Sequence, residues 1–203
     1  MKQACFLIQN TFREGVFSLK NSKTTVLTFC GICIALNMVL GFVGSASNLP
    51  FYLDTIGTFF VAVMYGPFYG AVVGGVTNVV SALILGPKDI PFALVSIAVG
   101  LIVGFISHKN RNYNLKTAIL CGIVCGVVAP VIGTPIGVAV YGGLTGTVSD
   151  VMLLFLKQSG MSIFAASFIP KLFNNLLDKT LASLLVYLLL KKMPAQYAPK
   201  WEK

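Results

Sequence analysis

Apolar runs of about twenty residues recur along this chain, separated by short polar breaks. A helix rises ~1.5 Å per residue, so about 20 apolar residues cross the ~30 Å hydrocarbon core of a bilayer. Charge is correspondingly scarce. Only 10% of the 203 residues are charged and 56% are hydrophobic, whereas a soluble domain carries about 25% charged residues. The mean hydropathy is +0.86. The expectation is an all-α integral membrane protein, a six-transmembrane-helix bundle forming a single membrane domain. Residues 24–190 would form the bundle, 1–23 an N-terminal segment and 191–203 a tail. No stretch is long enough for an additional soluble domain.

The net charge of +9 is not a nucleic-acid signal. The basic residues gather in three places: Lys2, Arg13, Lys20 and Lys23; Lys109, Arg111 and Lys116; Lys191, Lys192, Lys200 and Lys203. Even numbers of predicted spans separate these groups. The positive-inside rule then puts both termini in the cytoplasm. Outside the spans, only Lys88 and Lys157 fall on the opposite side. The first 23 residues lack the pattern of a cleaved signal peptide, and 6–19 can form a short amphipathic surface helix.

The predicted spans are 24–43, 53–65, 67–85, 91–107, 117–141 and 170–190. The second is too short to cross the core unless 50–52 extend it. Reading spans 2 and 3 as one re-entrant hairpin would remove two crossings and keep the charge pattern, so charge bias supports an even number more firmly than six. Pro67 suits a first helical position. Pro130 and Pro135 are expected to kink or break span 5. Residues 142–169 read as a long external connection with an amphipathic piece (151–157) and an apolar piece (161–169), and span 6 starts at Pro170.

Polar residues inside spans are the candidate functional groups. Lys171, Asn174, Asn175 and Asp178 run i, i+3, i+4, i+7 along span 6, within an arc of roughly 100° on a helix. Lys179 sits at the edge of that stripe. Either Asp178 and a lysine neutralise each other while the asparagines join helices, or the stripe walls a site offering a carboxylate and an ammonium. Asp54 opens span 2, with Thr55 beside it and Thr58 one turn deeper; it either caps that helix or meets a ligand. Asn37 in span 1, and Thr77, Asn78 and Ser81 in span 3, can join helices or line a site. Gly70-x-x-x-Gly74 and Gly31-x-x-x-Ala35 permit close helix approach.

Several chemistries are unsupported. The chain carries no G-x-x-x-x-G-K-[S/T], H-E-x-x-H or G-x-S-x-G pattern. The one histidine, His108, lies in a basic loop. Cys30, Cys33, Cys121 and Cys125 fall in apolar spans and read as small packing residues, with Cys5 in the N-terminal segment. No enzyme activity, metal or cofactor is expected. A carboxylate pair would have to come from Asp54 and Asp178.

The stretch 52–87, YLDTIGTFFVAVMYGPFYGAVVGGVTNVVSALILGP, resembles the span 2–3 signature of the substrate-binding S components of energy-coupling factor (ECF) transporters. The stretch 170–194, PKLFNNLLDKTLASLLVYLLLKKMP, resembles their last helix. The D-T-I-G-T, G-P-x-x-G and T-N combination carries the likeness; the hydrophobic layout is unspecific. The resemblance implies the substrate-binding subunit of an ECF-type ABC importer in a bacterial cell membrane. Such a subunit captures a vitamin or similar micronutrient near the extracellular side with high affinity. It docks on a membrane coupling subunit joined to two cytoplasmic ATPases, and is thought to topple in the membrane. Docking in the family uses an A-x-x-x-A face on span 1, matched here by Gly31 and Ala35 with glycine replacing the first alanine. The loop 44–52 would be the lid.

On this reading Asp54, Thr58 and Asn78 join Lys171, Asn174, Asn175 and Asp178 around one small substrate. Both signs of charge favour a zwitterionic or cationic ligand. A membrane sensor signalling through a partner is the alternative; it would need an output domain, and none is visible in the chain. Binding without ATP, and uptake only with the coupling subunit and ATPases, separates the two.

Overall fold

A computed structural model describes residues 23–47, 52–144, 149–193 and 199. The amphipathic segment at 6–19, the centre of the 44–52 loop, Cys5 and most of the C-terminal tail lie outside the described residues. Among the described residues every regular element is helical. In chain order they are α1 (Lys23–Ala46), α2 (Ile56–Tyr65), α3 (Pro67–Leu85), a 3-10 segment (Pro87–Phe92), α4 (Ala93–Asn110), α5 (Leu115–Tyr141), α6 (Ser149–Gln158) and α7 (Ile163–Lys192).

Five helices are long and apolar enough to cross a membrane: α1, α3, α4 with the end of the 3-10 segment, α5 and α7. The sixth expected span is α2, whose 10 residues measure only ~15 Å. Seven of those residues are buried. A segment that stops short of the bilayer faces is tolerated at membrane depth when protein, not lipid, surrounds it, and α2 meets that condition.

The bundle is apolar outside and small or polar inside. Leu27, Ile32, Phe42, Phe68, Leu83 and Phe173 are exposed, whereas Ser96, Ser107, Cys121, Cys125, Thr134 and Ser183 are buried. In lipid, close packing and hydrogen bonds hold helices together, so interiors favour small residues. The most extensive contact joins α5 and α7. A Cβ on Gly122 would lie 2.6 Å from the Thr180 Cα, and one on Gly126 would lie 2.7 Å from the Leu176 Cα. Gly70 and Gly74 pack α3 against α4, meeting Gly100 and Ser96, so that G-x-x-x-G motif serves packing within the chain. Gly31 is different: nothing lies within 4 Å of its added Cβ.

Pro130, Pro135 and Pro170 do not end or start their helices. Helix α5 runs unbroken through Pro130 and Pro135. Helix α7 starts seven residues before Pro170, where Ser162 accepts the Ala165 N–H at 3.3 Å as N-cap. That cap starts the helix upstream, and Pro170 then lies inside it. The expected connection is thereby shortened, and residues 163–169 of the apolar piece become the first turns of α7.

The ends of the bundle differ. One carries Lys23, the 108–116 segment, Lys191 and Lys192; there Tyr113 Oη and Ser183 Oγ are 2.6 Å apart, and Ser183 donates to the Ala118 carbonyl at 2.6 Å. Burial pushes the Tyr113 hydroxyl well above the ordinary tyrosine pKa. The other end carries residues 52–55, 86–92, 142–144 and 159–162, and the cavity opens there.

Candidate functional site

Two polar hubs fix the entry to α2. Asn37, fully buried on α1, accepts the Gly57 N–H at 2.7 Å and donates to Thr58 Oγ1 at 3.0 Å and Thr77 Oγ1 at 3.3 Å. One amide therefore ties α1, α2 and α3 together. The second hub is Asp178, fully buried on α7. It accepts the Leu53 N–H at 2.9 Å and the Lys179 ammonium at 2.6 Å. Leu53 has φ 54°, a left-handed conformation costing a non-glycine residue about 1–2 kcal/mol, and the Asp178 bond holds it there.

Lys179 completes this cluster. Its Nζ also donates to Thr55 Oγ1 at 3.1 Å and Asp54 Oδ1 at 3.4 Å, and lies 5.8 Å from the Tyr52 ring centroid. The two aspartates thus meet through one lysine. Asp178 gives its charge to Lys179, while Asp54, 39% exposed, keeps a carboxylate facing open space. The N-cap position of α2 belongs to Thr55, which makes no side-chain cap bond; the side-chain partner of Asp54 is Lys179.

Around these groups lies a cavity of about 820 Å³ between α1, the start of α2, α3, α4, α5 and α7. That volume falls in the range of small-molecule sites, roughly 300–1,000 Å³. Its polar wall includes Asn37, Asp54, Thr77, Asn78, Ser81, Lys171, Asn175 and Lys179. Met38, Phe42, Ile84, Phe92, Val95 and Val99 supply apolar surface. Asn78 donates to Ser96 Oγ at 2.5 Å and to the Gly74 carbonyl at 3.2 Å. At the mouth, Tyr141 donates to Asp89 at 2.7 Å and its ring sits 6.3 Å from that of Phe92.

Of the sequence-derived candidates, the cavity gathers Asp54, Asn78, Lys171 and Asn175. Thr58, Asn174 and Asp178 are not in its lining. Thr58 is spent on Asn37, and Asp178 holds Lys179 and Leu53 behind the wall. The α7 face toward the cavity is Lys171, Asn175 and Lys179, spaced by four, rather than the i, i+3, i+4, i+7 stripe. Sequence reasoning left Lys179 at the margin and did not single out Asp89, Tyr141 or Ser96. The adjacency of Lys179 to Asp178 was the available signal for the first. Gly31 and Ala35 are both exposed on α1. Among the described residues no group of His, Cys, Asp or Glu side chains could hold a metal ion.

This is a membrane bundle with a closely packed polar cluster beside a cavity of small-molecule size at one end. No match was found among curated proteins or among solved structures. A family model described as "ECF transporter, substrate-specific component" matches residues 25–190, which include every helix around the cavity. The chain therefore belongs to the substrate-specific components of ECF transporters, multi-pass membrane proteins that bind substrate for transport and are not enzymes.

Proposed function

We propose that this chain captures a small, water-soluble, vitamin-like micronutrient on the outside of a bacterial cell membrane and hands it over by docking on a membrane coupling subunit served by two cytoplasmic ATPases. The observation that carries this reading is the cavity of about 820 Å³, which puts Asp54, Lys171, Asn78 and Asn175 around one apolar-floored space. Few polar anchors in a largely apolar concavity are what a high-affinity small-molecule site requires. The charge pattern supports the orientation. Lys23, Lys109, Arg111, Lys116, Lys191 and Lys192 sit at the end away from the cavity; on the positive-inside rule that end, with both termini, faces the cytoplasm, and 24–190 acts as one membrane domain. Asp178 and Thr58 then act through the groups they hold.

Docking uses the α1 face that contains Gly31 and Ala35. Both are exposed, and no side chain covers Gly31, so another membrane helix can approach closely there.

The test is reconstitution. The small molecule that co-purifies with the chain is identified by mass spectrometry and its binding measured in detergent. Proteoliposomes then contain the chain alone, or the chain with coupling subunit and ATPases. Binding without ATP, and uptake only in the complete assembly, is expected. Uptake by the chain alone would overturn the proposal.

A further inference from the structure

Among the described side chains, the charges around the cavity do not cancel. Asp54, Asp89, Lys171 and Lys179 line it, and two further carboxylates act on the lysines. Asp178, fully buried behind the wall, meets Lys179 at 2.6 Å. Asp150 on α6 acts on Lys171 through space. Four carboxylates therefore stand against two ammoniums. Lys157, the other cation described at this end, is exposed on α6, where water and salt screen it. Charges withdrawn from water are normally matched, so the wall lacks positive charge.

The deficit falls on Asp54. Lys179 is held by Asp178 at 2.6 Å and Thr55 at 3.1 Å, and reaches Asp54 only at 3.4 Å. One ammonium shared by two carboxylates leaves this cluster with one negative charge in excess. Lys171 lies two turns along α7, about 12 Å away, with the Asp150 charge acting on it. The Asp54 side chain is 39% exposed and lines the cavity. It is backed by α1 at Gly41, where an added Cβ would lie 3.3 Å from the Asp54 Cβ. The carboxylate is thus fixed between α1 and α7.

The neighbouring rings suit a cation. Tyr52 lines the cavity, and the Lys179 ammonium lies 5.8 Å from its ring centroid, within the ~6 Å reach of a cation–π contact. At the mouth, the rings of Phe92 and Tyr141 lie 6.3 Å apart, and the Tyr141 hydroxyl donates to Asp89 at 2.7 Å. A second carboxylate is thereby held beside two aromatic side chains. Aromatic faces attract organic cations through their quadrupoles, and a cleft lined by one sign of charge concentrates the opposite sign.

We infer that the substrate is an organic cation, a quaternary or protonated amine or a cationic heteroaromatic ring, whose positive group is seated on Asp54 beside Tyr52 after entering past Asp89. This rests on the capture reading above and deepens it. Lys179 is the permanent counter-ion of Asp178, and the substrate supplies the charge that the wall lacks.

The full chain and its Asp54→Asn and Asp89→Asn variants are purified in parallel. Co-purified compounds are extracted, identified by mass spectrometry and quantified per mole of protein. The stripped proteins are then melted with matched probes: choline and dimethylbutanol (its uncharged carbon isostere), thiamine and thiochrome, pyridoxamine and pyridoxine. The expected result is that wild type retains a compound bearing a positive group, or is stabilised by a cation in preference to its neutral partner. Asp54→Asn should lose roughly 10- to 100-fold in affinity for that cation, and Asp89→Asn should lose less. Stripped Asp54→Asn should melt within about 3 °C of wild type, because its ion pair is the longer and more exposed one. A retained compound with no positive group, or equal stabilisation by both members of every pair, overturns the cation seat and leaves capture standing; this arm needs no variant. Equal retention by Asp54→Asn and wild type, or a larger loss in Asp89→Asn, removes the seat from Asp54. If Asp54→Asn weakens a cation and its neutral partner equally, Asp54 serves only to hold Lys179 and the seat is overturned. Wild type that retains nothing and responds to no probe contradicts capture itself, and the seat with it.

Discussion

Replacing Asp178 should destabilise this protein strongly, although its side chain does not line the cavity. Its carboxylate is fully buried. It accepts from Lys179 at 2.6 Å and from the Leu53 N–H at 2.9 Å. Asp178→Ala leaves the ammonium, only 4% exposed, with Thr55 at 3.1 Å and Asp54 at 3.4 Å. Removing one member of a buried ion pair costs about 3–5 kcal/mol. The orphaned Leu53 N–H adds about 1 kcal/mol, at a residue already held in a left-handed conformation. The total is about 4–6 kcal/mol, or roughly 8–24 °C in melting temperature for a chain of this size. Asp178→Asn keeps an oxygen for Leu53 and should lose about 1 kcal/mol less. Cys30, Cys33, Cys121 and Cys125 are buried free thiols, so a maleimide dye that fluoresces on reaction reports unfolding directly, with Cys5 changed to serine. The pair Asp178→Leu with Lys179→Met removes both charges at similar volume and should recover at least half of the loss. If Asp178→Ala melts within about 2 °C of wild type, or the double variant loses the sum of the single losses, the hub argument fails.

Asn37→Ala should cost about 1–3 kcal/mol in the same assay, because the Gly57 N–H loses its acceptor; Thr58→Val, which removes one acceptor of the same amide, should cost less. Gly126→Ala should cost about 1–3 kcal/mol by overpacking against Leu176, whereas Gly31→Ala, with open space around it, should stay within about 0.5 kcal/mol of wild type. Gly31→Leu should likewise melt normally yet fail to assemble with the coupling subunit, read by co-purification; normal assembly would remove that face from the docking proposal. Tyr113 has a folded-state pKa raised by burial, so its contribution is fully present below the unfolded tyrosine value of about 10 and is lost as pH rises above it. Melting curves across that range should therefore fall more steeply for wild type than for Tyr113→Phe.

The helices around the cavity were legible because membrane length and polar breaks are written directly in composition. Asp54, Asn78, Lys171 and Asn175 were legible because intramembrane polar groups are rare enough to stand out. The rotation of α7 was not. Asp178 and Lys179 are consecutive residues, about 100° apart around a helix, and which of them meets the cavity is set by the seating of α7 on Gly122 and Gly126 of α5. A four-residue glycine spacing announces close packing but names no partner. The start of α7 was missed for a related reason: a proline signals a helix beginning as readily as an interior position, and the Ser162 cap decided the matter. The Asp89–Tyr141 bond joins residues 52 apart in sequence, and no local pattern announces it.

The shortness of α2 has a geometric consequence. Its ~15 Å leaves about half of a ~30 Å lane through the bilayer without helix. A helix occupies a cylinder about 10 Å across, so the vacated half-lane holds roughly 1,200 Å³. The incoming chain at Tyr52, Asp54 and Thr55 takes part of it and forms one wall of the 820 Å³ that remains. The cavity is thus made by omission rather than by splaying the long helices. Its size can change through the length and bulk of the chain leading into α2, while the close glycine contacts of α3 with α4 and of α5 with α7 stay as they are.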